Sequence, residues 1–335
     1  MIKRTVSVIM PSITRTFVAA IALIGIASAG AETEADSAMR FAPGAVSRLG
    51  EVTLSPAFTP DGKTAYFSRA ACPRVWQCPQ LLYKSEQIDG VWRDATRVAD
   101  LGKYRVDWPS VSPDGNTLVF TWTTPQEKYK GLDISENFDL FTLDLADANA
   151  RPVAIEGADI NRPRAEVLKN RRAFHVQSAG TLTRNGDLYF WDERADAVGE
   201  RDVFLARSDG NGGFMKAEPL PAPINSTERD QLGWINPAGT VMLLAYPDRG
   251  GEGDDDIFIS RNRDGVWSEP QNLGPLVNSS AYDAGARFTP DGEQLVFTSS
   301  RAFDDEPEGL LQVWTIPTRP LIEVGVLTPD DIAVN

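Results

Sequence analysis

Residues 59–67 read TPDGKTAYF, and this pattern of a polar turn followed by a short apolar run recurs four more times along the chain. The later copies read SPDGNTLVF, TRNGDLYF, NPAGTVMLL and TPDGEQLVF, and the turn glycines are residues 62, 115, 186, 239 and 292. The gaps between these glycines are therefore 53, 71, 53 and 53 residues. Such regular spacing indicates one structural unit that is copied five times.

Each copy predicts a small antiparallel sheet. Pro-Asp-Gly favours a tight turn, and the apolar run after it is short and rich in branched and aromatic residues, as in a strand buried on both faces. A second strand recurs as LLYKS, DLFTLDL, DVFLARS, DIFISRN and QVWTIPT, and another closes the unit near Val98, Pro219 and Leu273. Four strands in about 50 residues are typical of a propeller blade. We therefore predict an all-β chain, a β-propeller of five blades with four antiparallel strands each, and a sixth blade is the less favoured alternative.

The two ends of the repeat region predict how the ring closes. Residues 41–62, FAPGAVSRLGEVTLSPAFTPDG, align with residues 272–292, NLGPLVNSSAYDAGARFTPDG. We expect residues 41–47 to complete, as its outer strand, the blade that runs from Ala284 to Thr318. This closure would remove an open sheet edge. The predicted organisation is a propeller over 41–318, a flexible segment at 32–40 and a tail at 319–335.

The N-terminus predicts export. Lys3 and Arg4 precede an apolar stretch from Phe17 to Ile26 and small residues around Ala31, which is typical of a cleaved signal peptide over 1–31. No cysteine stands at the cleavage point to suggest a lipid anchor, and no later segment reads as a membrane span. We expect a periplasmic or secreted protein. Because that compartment is oxidising, the two cysteines, Cys72 and Cys78, are predicted to form a disulfide, with two reduced loop thiols as the alternative.

The charge of the chain disfavours a nucleic-acid partner. The formal net charge is −14, and the basic residues form no run that could follow a phosphate backbone. We expect neutral or cationic ligands, glycans or another protein as partners, a monomeric chain and no cofactor.

The repeat resembles the exported TolB-like propeller repeat. The resemblance rests on the SPDG-strand-turn-strand unit and on blade four, with GGEGDDDIFIS at 250–260 and WSEPQNLGPLVNSSAYD at 267–283. It covers about residues 41–318 and is weakest in blade one, where a Cys-bearing loop replaces the usual Asp. The resemblance implies a five- or six-bladed propeller outside the cytoplasm, usually with a non-enzymatic binding or scaffolding role.

Acidic residues near the start of each innermost strand are the main candidate site. Three of them follow an asparagine by five residues, and two occupy the matching place in blades one and two, so all five are expected at one mouth of the central channel: Glu51, Asp107, Glu166, Asp230 and Asp283. Converging carboxylates could hold a cation or sugar hydroxyls. We favour the alternative that each acid bonds a repeated arginine and so joins neighbouring blades. The arginines are Arg69, Arg194, Arg249 and Arg301.

Other polar clusters are interpreted as structural. Asp256 aligns with Asp139 and Asp202 at the head of the second recurring strand, and Asp254 and Asp255 are expected to be solvated, so no metal site is predicted. Two sequons begin at Asn225 and Asn278, on a repeated turn where an Asn side chain would cap its own backbone.

The loops that depart from the repeat provide candidate contact residues. These aromatic residues, which could instead pack onto their blades, are Trp76, Trp122, Tyr129 and Phe174.

Two hypotheses about function follow. The favoured one is an exported, non-catalytic binding or scaffold propeller that engages a protein, a peptide or a cell-envelope glycan at the channel mouth. The chain has one histidine, His175, and none of the usual catalytic motifs, so no catalytic residue is assigned. The alternative is a glycan-active enzyme in which two of the mouth carboxylates serve as general acid and base. A general acid would need a carboxyl group free of arginine.

Overall fold

The computed structural model describes residues 37–73, 78–98, 101–102, 104–123, 128–129, 132–133, 138–161, 176–194, 197–247, 249–302 and 310–333. Within them, five antiparallel sheets follow one another along the chain, one for each repeat. The predicted five-bladed propeller of four-stranded blades is therefore confirmed. The predicted signal peptide over 1–31 lies outside the described residues.

In each sheet the innermost strand leads through the repeated turn into the second strand. Blade one comprises β2 (Val52–Phe58), β3 (Thr64–Ala70), β4 (Leu81–Ile88), β5 (Val91–Trp92) and β6 (Thr96–Arg97). Blade two comprises β7 (Val106–Val111), β8 (Thr117–Trp122), β11 (Asp139–Asp144) and β12 (Val153–Ala154). Between β8 and β11 the chain forms a separate two-stranded ribbon of β9 (Lys128–Tyr129) and β10 (Leu132–Asp133). Blades three and four comprise β13 (Gln177–Leu182), β14 (Leu188–Asp192), β15 (Asp202–Ala206), β16 (Glu218–Pro219), β17 (Gln231–Ile235), β18 (Val241–Tyr246), β19 (Asp256–Arg263), β20 (Val266–Trp267) and β21 (Gln271–Asn272). Blade five comprises β22 (Asp283–Phe288), β23 (Gln294–Ser299), β24 (Gln312–Pro317) and the N-terminal strand β1 (Met39–Arg40).

The turn chemistry explains why the hairpins form where they do. In blade one Gly62 has a φ of +70°, which suits a residue without a Cβ atom. The hydroxyl of Thr59 donates a hydrogen bond to Asp61 Oδ1 at 2.6 Å, and the Lys63 N–H donates to the same oxygen at 3.0 Å. These side-chain bonds hold the turn that connects β2 to β3.

The ring is closed by the N-terminus, but two residues earlier than the alignment predicts. β1 pairs with β24 through Met39↔Thr315 and Arg40↔Trp314. Residues 41–47 then form a turn rather than the outer strand. Ser47 anchors this turn by donating a hydrogen bond to the Val313 carbonyl at 3.0 Å. The alignment misses this register because a two-residue strand leaves almost no pattern in the sequence.

The core lies between the blades. The second strand of four blades carries a phenylalanine with no exposed surface, namely Phe67, Phe120, Phe190 and Phe297. Each blade presents apolar side chains to both neighbours, and one cluster joins Trp191 of blade three to Leu244 of blade four and Ala284 of blade five. A single blade could not bury both faces, so stacking around the ring provides the stabilising burial.

The predicted tail is ordered over its described part and extends the core. It forms two short helices, α1 (Thr318–Glu323) and α2 (Pro329–Ile332). Leu321 is fully buried in the cluster between blades four and five. Asp331 accepts two hydrogen bonds from Arg261 of β19, each at 2.7 Å. The C-terminal segment therefore packs against blades four and five instead of extending from them.

Candidate functional site at the channel mouth

One backbone hydrogen bond is repeated at every junction between blades. The donor is the N–H of the residue nine positions before the turn glycine, and the acceptor is the carbonyl of the residue that precedes the third strand of the previous blade. The five bonds are Thr53 to Leu311 at 2.9 Å, Val106 to Gln80 at 2.8 Å, Gln177 to Phe138 at 3.0 Å, Asp230 to Arg201 at 2.8 Å and Asp283 to Asp255 at 2.9 Å. We call the five donors the junction residues.

The junction bonds correct the alignment of the candidate acids. Asp230 and Asp283 are equivalent, but the junction residues of the first three blades are Thr53, Val106 and Gln177 rather than Glu51, Asp107 and Glu166. Glu166 itself lies outside the described residues. The spacing of five residues after asparagine therefore holds only in blades four and five, since blade three carries an insertion between Asn161 and Gln177.

The two equivalent acids face the junctions and not the channel. Asp283 Oδ2 accepts hydrogen bonds from the backbone N–H and the hydroxyl of Ser279, each at 2.7 Å, and Arg301 Nη2 lies 2.7 Å from Oδ1. Asp230 accepts a bond of 2.5 Å from the Ser226 N–H, and Arg249 Nη2 lies 3.6 Å from its Oδ1. Both carboxylates are fully buried. Burial raises the pKa of Asp230 to about 6, against the opposing effect of the Ser226 hydrogen bonds and the Arg249 charge.

Blades one to three use other partners at the same place. Arg69 Nε lies 3.5 Å from Glu51 Oε2. Arg194 pairs with Asp192 of β14. Gln177 replaces the acid of blade three: its amide donates to Asp192 Oδ2 at 2.5 Å and accepts from the Asn161 N–H at 2.8 Å.

A central cavity of about 510 Å³ opens where the innermost strands begin. Side chains alternate between the two faces of a strand. The junction residues therefore point into the seams, while several residues directly before and after them point into the channel. The lining residues are Leu54, Arg105, Asp107, Trp108, Phe138, Val176, Ser178, Trp191, Glu193, Arg201, Gln231, Tyr282 and Leu311. Of the four candidate acids that are described, only Asp107 lines this cavity.

Polar groups of the cavity form two sets. Arg105 pairs with Asp107, and burial raises the pKa of the Asp107 carboxyl while the Arg105 charge opposes that shift. The second set surrounds Arg201, which bonds Glu193 Oε1 at 2.6 Å and Gln231 Oε1 at 2.8 Å. The Gln231 amide in turn donates to the Tyr282 hydroxyl at 3.3 Å.

Tyr282 lies beside this second set. Burial raises the pKa of its phenol to about 12, and the protonated hydroxyl can both donate and accept hydrogen bonds at neutral pH. Among the described lining residues, the two carboxylates, Asp107 and Glu193, each pair with an arginine.

Aromatic rings form the apolar walls, and one of them occupies a strained position. The Arg201 guanidinium lies 4.0 Å from the centre of the Trp191 ring, and that of Arg105 lies 5.4 Å from the Phe138 ring. Trp108 has a φ of +48° at a β-bulge, where the equivalent residues of blades three and five are Ala179 (+56°) and Gly285 (+63°). A bulky residue with positive φ is a genuine outlier, and such strain clusters at functional sites.

Most residues of this cavity were not predicted from the repeats. Trp108, Trp191, Glu193 and Arg201 belong to no repeated motif, because the other blades carry different residues at their positions. The positions of the junction residues would have predicted these side chains, because residues on either side of a junction residue point to the opposite face of the strand, toward the channel. The register of the junction residues is set by the junction bonds between blades, which leave no pattern in the sequence.

Of the four aromatic candidate contact residues, only Trp122 has a described side chain. Trp122 packs on its own blade, with its ring 5.1 Å from that of Phe141, and does not line the cavity. The side chain of Tyr129 is not described, and Trp76, Phe174 and His175 lie outside the described residues. The predicted disulfide between Cys72 and Cys78 is present.

The remaining polar clusters are partly as expected. Asp256 heads β19 and Asp254 is exposed, but Asp255 is buried with its Oδ1 3.5 Å from Arg229 Nη2, so its expected solvation is wrong. No group of three potential metal ligands occurs among the residues that the structure describes.

The sequon asparagines bond the neighbouring third strand, and Asn225 also donates to the Leu220 carbonyl of its own connection at 2.7 Å. Asn225 bonds the backbone N–H of Val203 at 2.8 Å and its carbonyl at 2.9 Å, and Asn278 bonds Ile257 in the same way at 2.8 and 3.0 Å. The asparagines therefore hold the connection between two blades against the third strand of the earlier blade by hydrogen bonds.

Over the described part of the chain, no helix is long and apolar enough to cross a membrane.

Solved structures with a similar shape include TolB proteins. The chain is similar to TolB from Acinetobacter baumannii (18% identity, 79% of this chain and 54% of that chain, TM-score 0.44). It is also similar to a putative TolB from Agrobacterium tumefaciens (17% identity, 81% of this chain and 78% of that chain, TM-score 0.44). A third similar structure is an α-L-arabinofuranosidase from Lactobacillus brevis (13% identity, 79% of this chain and 91% of that chain, TM-score 0.45). The chain thus spans about half the length of the Acinetobacter TolB. No protein-family model and no curated protein matches the chain. TolB proteins are among its structural neighbours, as the sequence resemblance implied, and at these identities the likeness concerns the fold alone.

Proposed function

We propose that this protein is an exported binding or scaffold propeller that recognises a protein, a peptide or a cell-envelope glycan through the channel-mouth cavity. The supporting observation is that the cavity lining differs from blade to blade. The residue after the junction position is Leu54, Asp107, Ser178 or Gln231 in the first four blades, and each of them faces the cavity. The features that hold the ring together are repeated in the blades, whereas these four residues differ from one blade to the next. Such variation is expected of a surface that recognises one ligand.

The pairing of the carboxylates favours binding over catalysis. A general acid needs a carboxyl group that is desolvated and free of a cationic partner. Asp107 is held by Arg105, and Glu193 by Arg201. Charge-matched pairs beside the Trp191 and Phe138 rings suit a ligand that is neutral overall, with hydroxyl or amide groups that both donate and accept hydrogen bonds.

Export is supported by the bonded pair of Cys72 and Cys78, because such bonds persist mainly in oxidising compartments. We propose the periplasm or the cell exterior as its location and a monomer as its form.

The test is a screen of the mature protein on a glycan array and a peptide array, together with pull-down from a cell-envelope fraction. Each screen is repeated with Trp108→Ala. Ala179 occupies the equivalent place at similar φ, so the backbone there accommodates alanine. Because Trp108 itself is buried, circular dichroism first checks that this variant is folded. Binding should be lost in Trp108→Ala and kept in the control Val266→Ala, an exposed residue at a distant turn. Ligands that bind both variants equally would contradict recognition at this cavity.

The second candidate is a glycan-active enzyme, and one observation favours it. Asp107 Oδ1 is buried without a hydrogen-bond partner in the described residues, and burial raises the pKa of this carboxyl. If Asp107 is a general acid, Asp107→Asn should fold, keep its affinity for a glycan and lose turnover by about a hundredfold or more. A ligand that the parent protein binds and leaves chemically unchanged would argue against this alternative.

A further inference from the structure

The channel ends in a second cavity on the opposite side of the ring, where the five repeated turns converge. Its volume is about 100 Å³. The turn prolines of four blades line it, and Arg184 stands in the corresponding place of blade three: the set is Pro60, Pro113, Arg184, Pro237 and Pro290. Trp234 and Phe288 add aromatic walls. The cavity is separate from the mouth cavity, since no described residue lines both.

Arg287 of β22 also lines this cavity and is 4% exposed. Its guanidinium makes no hydrogen bond and no ion pair with any residue that the structure describes, and its Nε atom is buried without a partner. The equivalent residues of the other blades, four positions after the junction residue, are Ala57, Ser110, Thr181 and Trp234. A buried arginine at this point is therefore individual to blade five and is not part of the repeat.

The cavity concentrates positive charge in an acidic protein. Two arginines and no carboxylate are among its described lining residues, although the chain carries a net charge of −14. Burial lowers the pKa of Arg287 to about 10, with no neighbouring charge opposing the shift, so the side chain remains cationic at neutral pH. A buried cation without a counter-ion is strongly unfavourable, and an anion in the cavity would remove that cost.

We propose that this cavity binds a small oxyanion, a carboxylate or phosphate group, through Arg287. The exposed Arg184 stands at its rim, and Ser110 contributes a hydroxyl group to its wall. Its volume lies well below the ~300 Å³ at which cavities begin to enclose drug-sized ligands, so it accommodates a single charged group and not a sugar or nucleotide. Arginine suits this task, because its planar fork bonds two oxygens of a carboxylate or phosphate at once.

The test is isothermal titration calorimetry and thermal unfolding with sodium phosphate and sodium acetate, against sodium chloride at the same ionic strength. A short peptide with a free C-terminal carboxylate and its amidated form distinguish a peptide source from inorganic phosphate. We expect the melting temperature to rise with one of these oxyanions. Arg287→Met should weaken that binding at least tenfold, and Arg184→Gln should weaken it severalfold. The control Arg93→Gln removes an exposed charge from blade one and should leave binding unchanged.

The melting temperature of Arg287→Met without added oxyanion is a second test of the proposal. Arg287→Met removes an uncompensated charge and keeps the side-chain volume, so without added oxyanion it should melt no lower than the parent protein. The proposal is wrong if neither oxyanion binds the parent protein above the chloride reference, or if Arg287→Met binds as tightly as the parent. If Arg287→Met does not fold, Arg184→Gln decides instead, and unchanged affinity in that variant overturns the proposal.

Discussion

Nη2 of Arg301 lies 2.7 Å from Oδ1 of Asp283, beside the junction of blades four and five. The same arginine donates a hydrogen bond to the Val277 carbonyl. One guanidinium thus fixes a buried carboxylate and the connection that enters blade five. The equivalent pair of blade four is looser, at 3.6 Å between Arg249 and Asp230.

This difference predicts unequal costs for two matched substitutions. Asp283→Asn leaves the largely buried Arg301 without its charge partner and should lower the free energy of unfolding by about 3 kcal/mol. Asp230→Asn should cost only about 1 kcal/mol, because Arg249 lies 3.6 Å from the carboxylate, beyond hydrogen-bond distance, and keeps its bonds to the carbonyls of Pro223 and Ile224. Chemical denaturation of both variants at pH 7 measures the difference. Equal costs would show that the arginine contact does not govern these sites.

Asp230 also predicts a pH dependence. Its folded-state pKa of about 6 lies above the ordinary value of 3.8, so between these values the folded protein binds a proton that the unfolded chain lacks. Stability contributed by this group therefore falls as the pH rises from about 4 to 6. The melting temperature of Asp230→Asn relative to that of the parent protein should accordingly increase across this range. A constant difference between pH 4 and pH 7 would refute the assignment.

Gln177 is expected to be essential as an amide. Its Nε2 atom donates a hydrogen bond to Asp192 Oδ2 at 2.5 Å, so Gln177→Glu places two buried carboxylates together. We expect a loss of stability of about 3 kcal/mol at pH 7, because buried like charges repel and one hydrogen bond is lost. The double variant Gln177→Glu/Asp192→Asn restores one donor to this contact and should recover part of the loss. Additive effects in this double-mutant cycle would contradict the direct contact.

The N-terminal strand predicts a defined effect of truncation. A chain that begins at Phe41 lacks β1, so β24 becomes an open edge. We expect a lower melting temperature and self-association in analytical ultracentrifugation, relative to a chain that begins at Ser37. If both chains melt together and remain monomeric, the two-residue strand does not protect the edge.

The disulfide predicts a modest and local effect. Protein recovered from an oxidising compartment should show no free thiol, and the double variant Cys72→Ser/Cys78→Ser should lose about 2 kcal/mol, as expected for closure of a short loop. The rest of the propeller should keep its hydrogen-exchange protection. Two titratable thiols in the native protein would contradict the bond.

The architecture was predictable from the sequence because it depends on local, repeated features. The turn at Gly62 and its copies, the short apolar strands and their spacing specify five similar blades. Such four-stranded blades bury both faces by stacking around a ring. The cysteine pair was predictable for a related reason, since its six-residue separation lies within one loop. Closure by the N-terminus was also predicted, although the strand lies at Met39–Arg40 and not at 41–47.

The candidate site was less predictable, because a shift of one residue turns a strand side chain to the opposite face. The acids chosen by spacing included Asp230 and Asp283, which point into seams, and Asp107, which points into the channel one residue after the junction. Nothing in the local pattern distinguishes these orientations.

The sequence by itself determined the five-bladed ring and its closure, since each blade is encoded by its own turn and strands. Only the tertiary structure decided which groups meet at the two ends of the channel. Arg201 and Tyr282 are far apart in the chain and line one mouth, and Arg287 and Arg184 line the other. The physical reason is that these contacts depend on the register between blades. Backbone hydrogen bonds such as that from Gln177 to Phe138 set this register, and it exists only once the ring has closed.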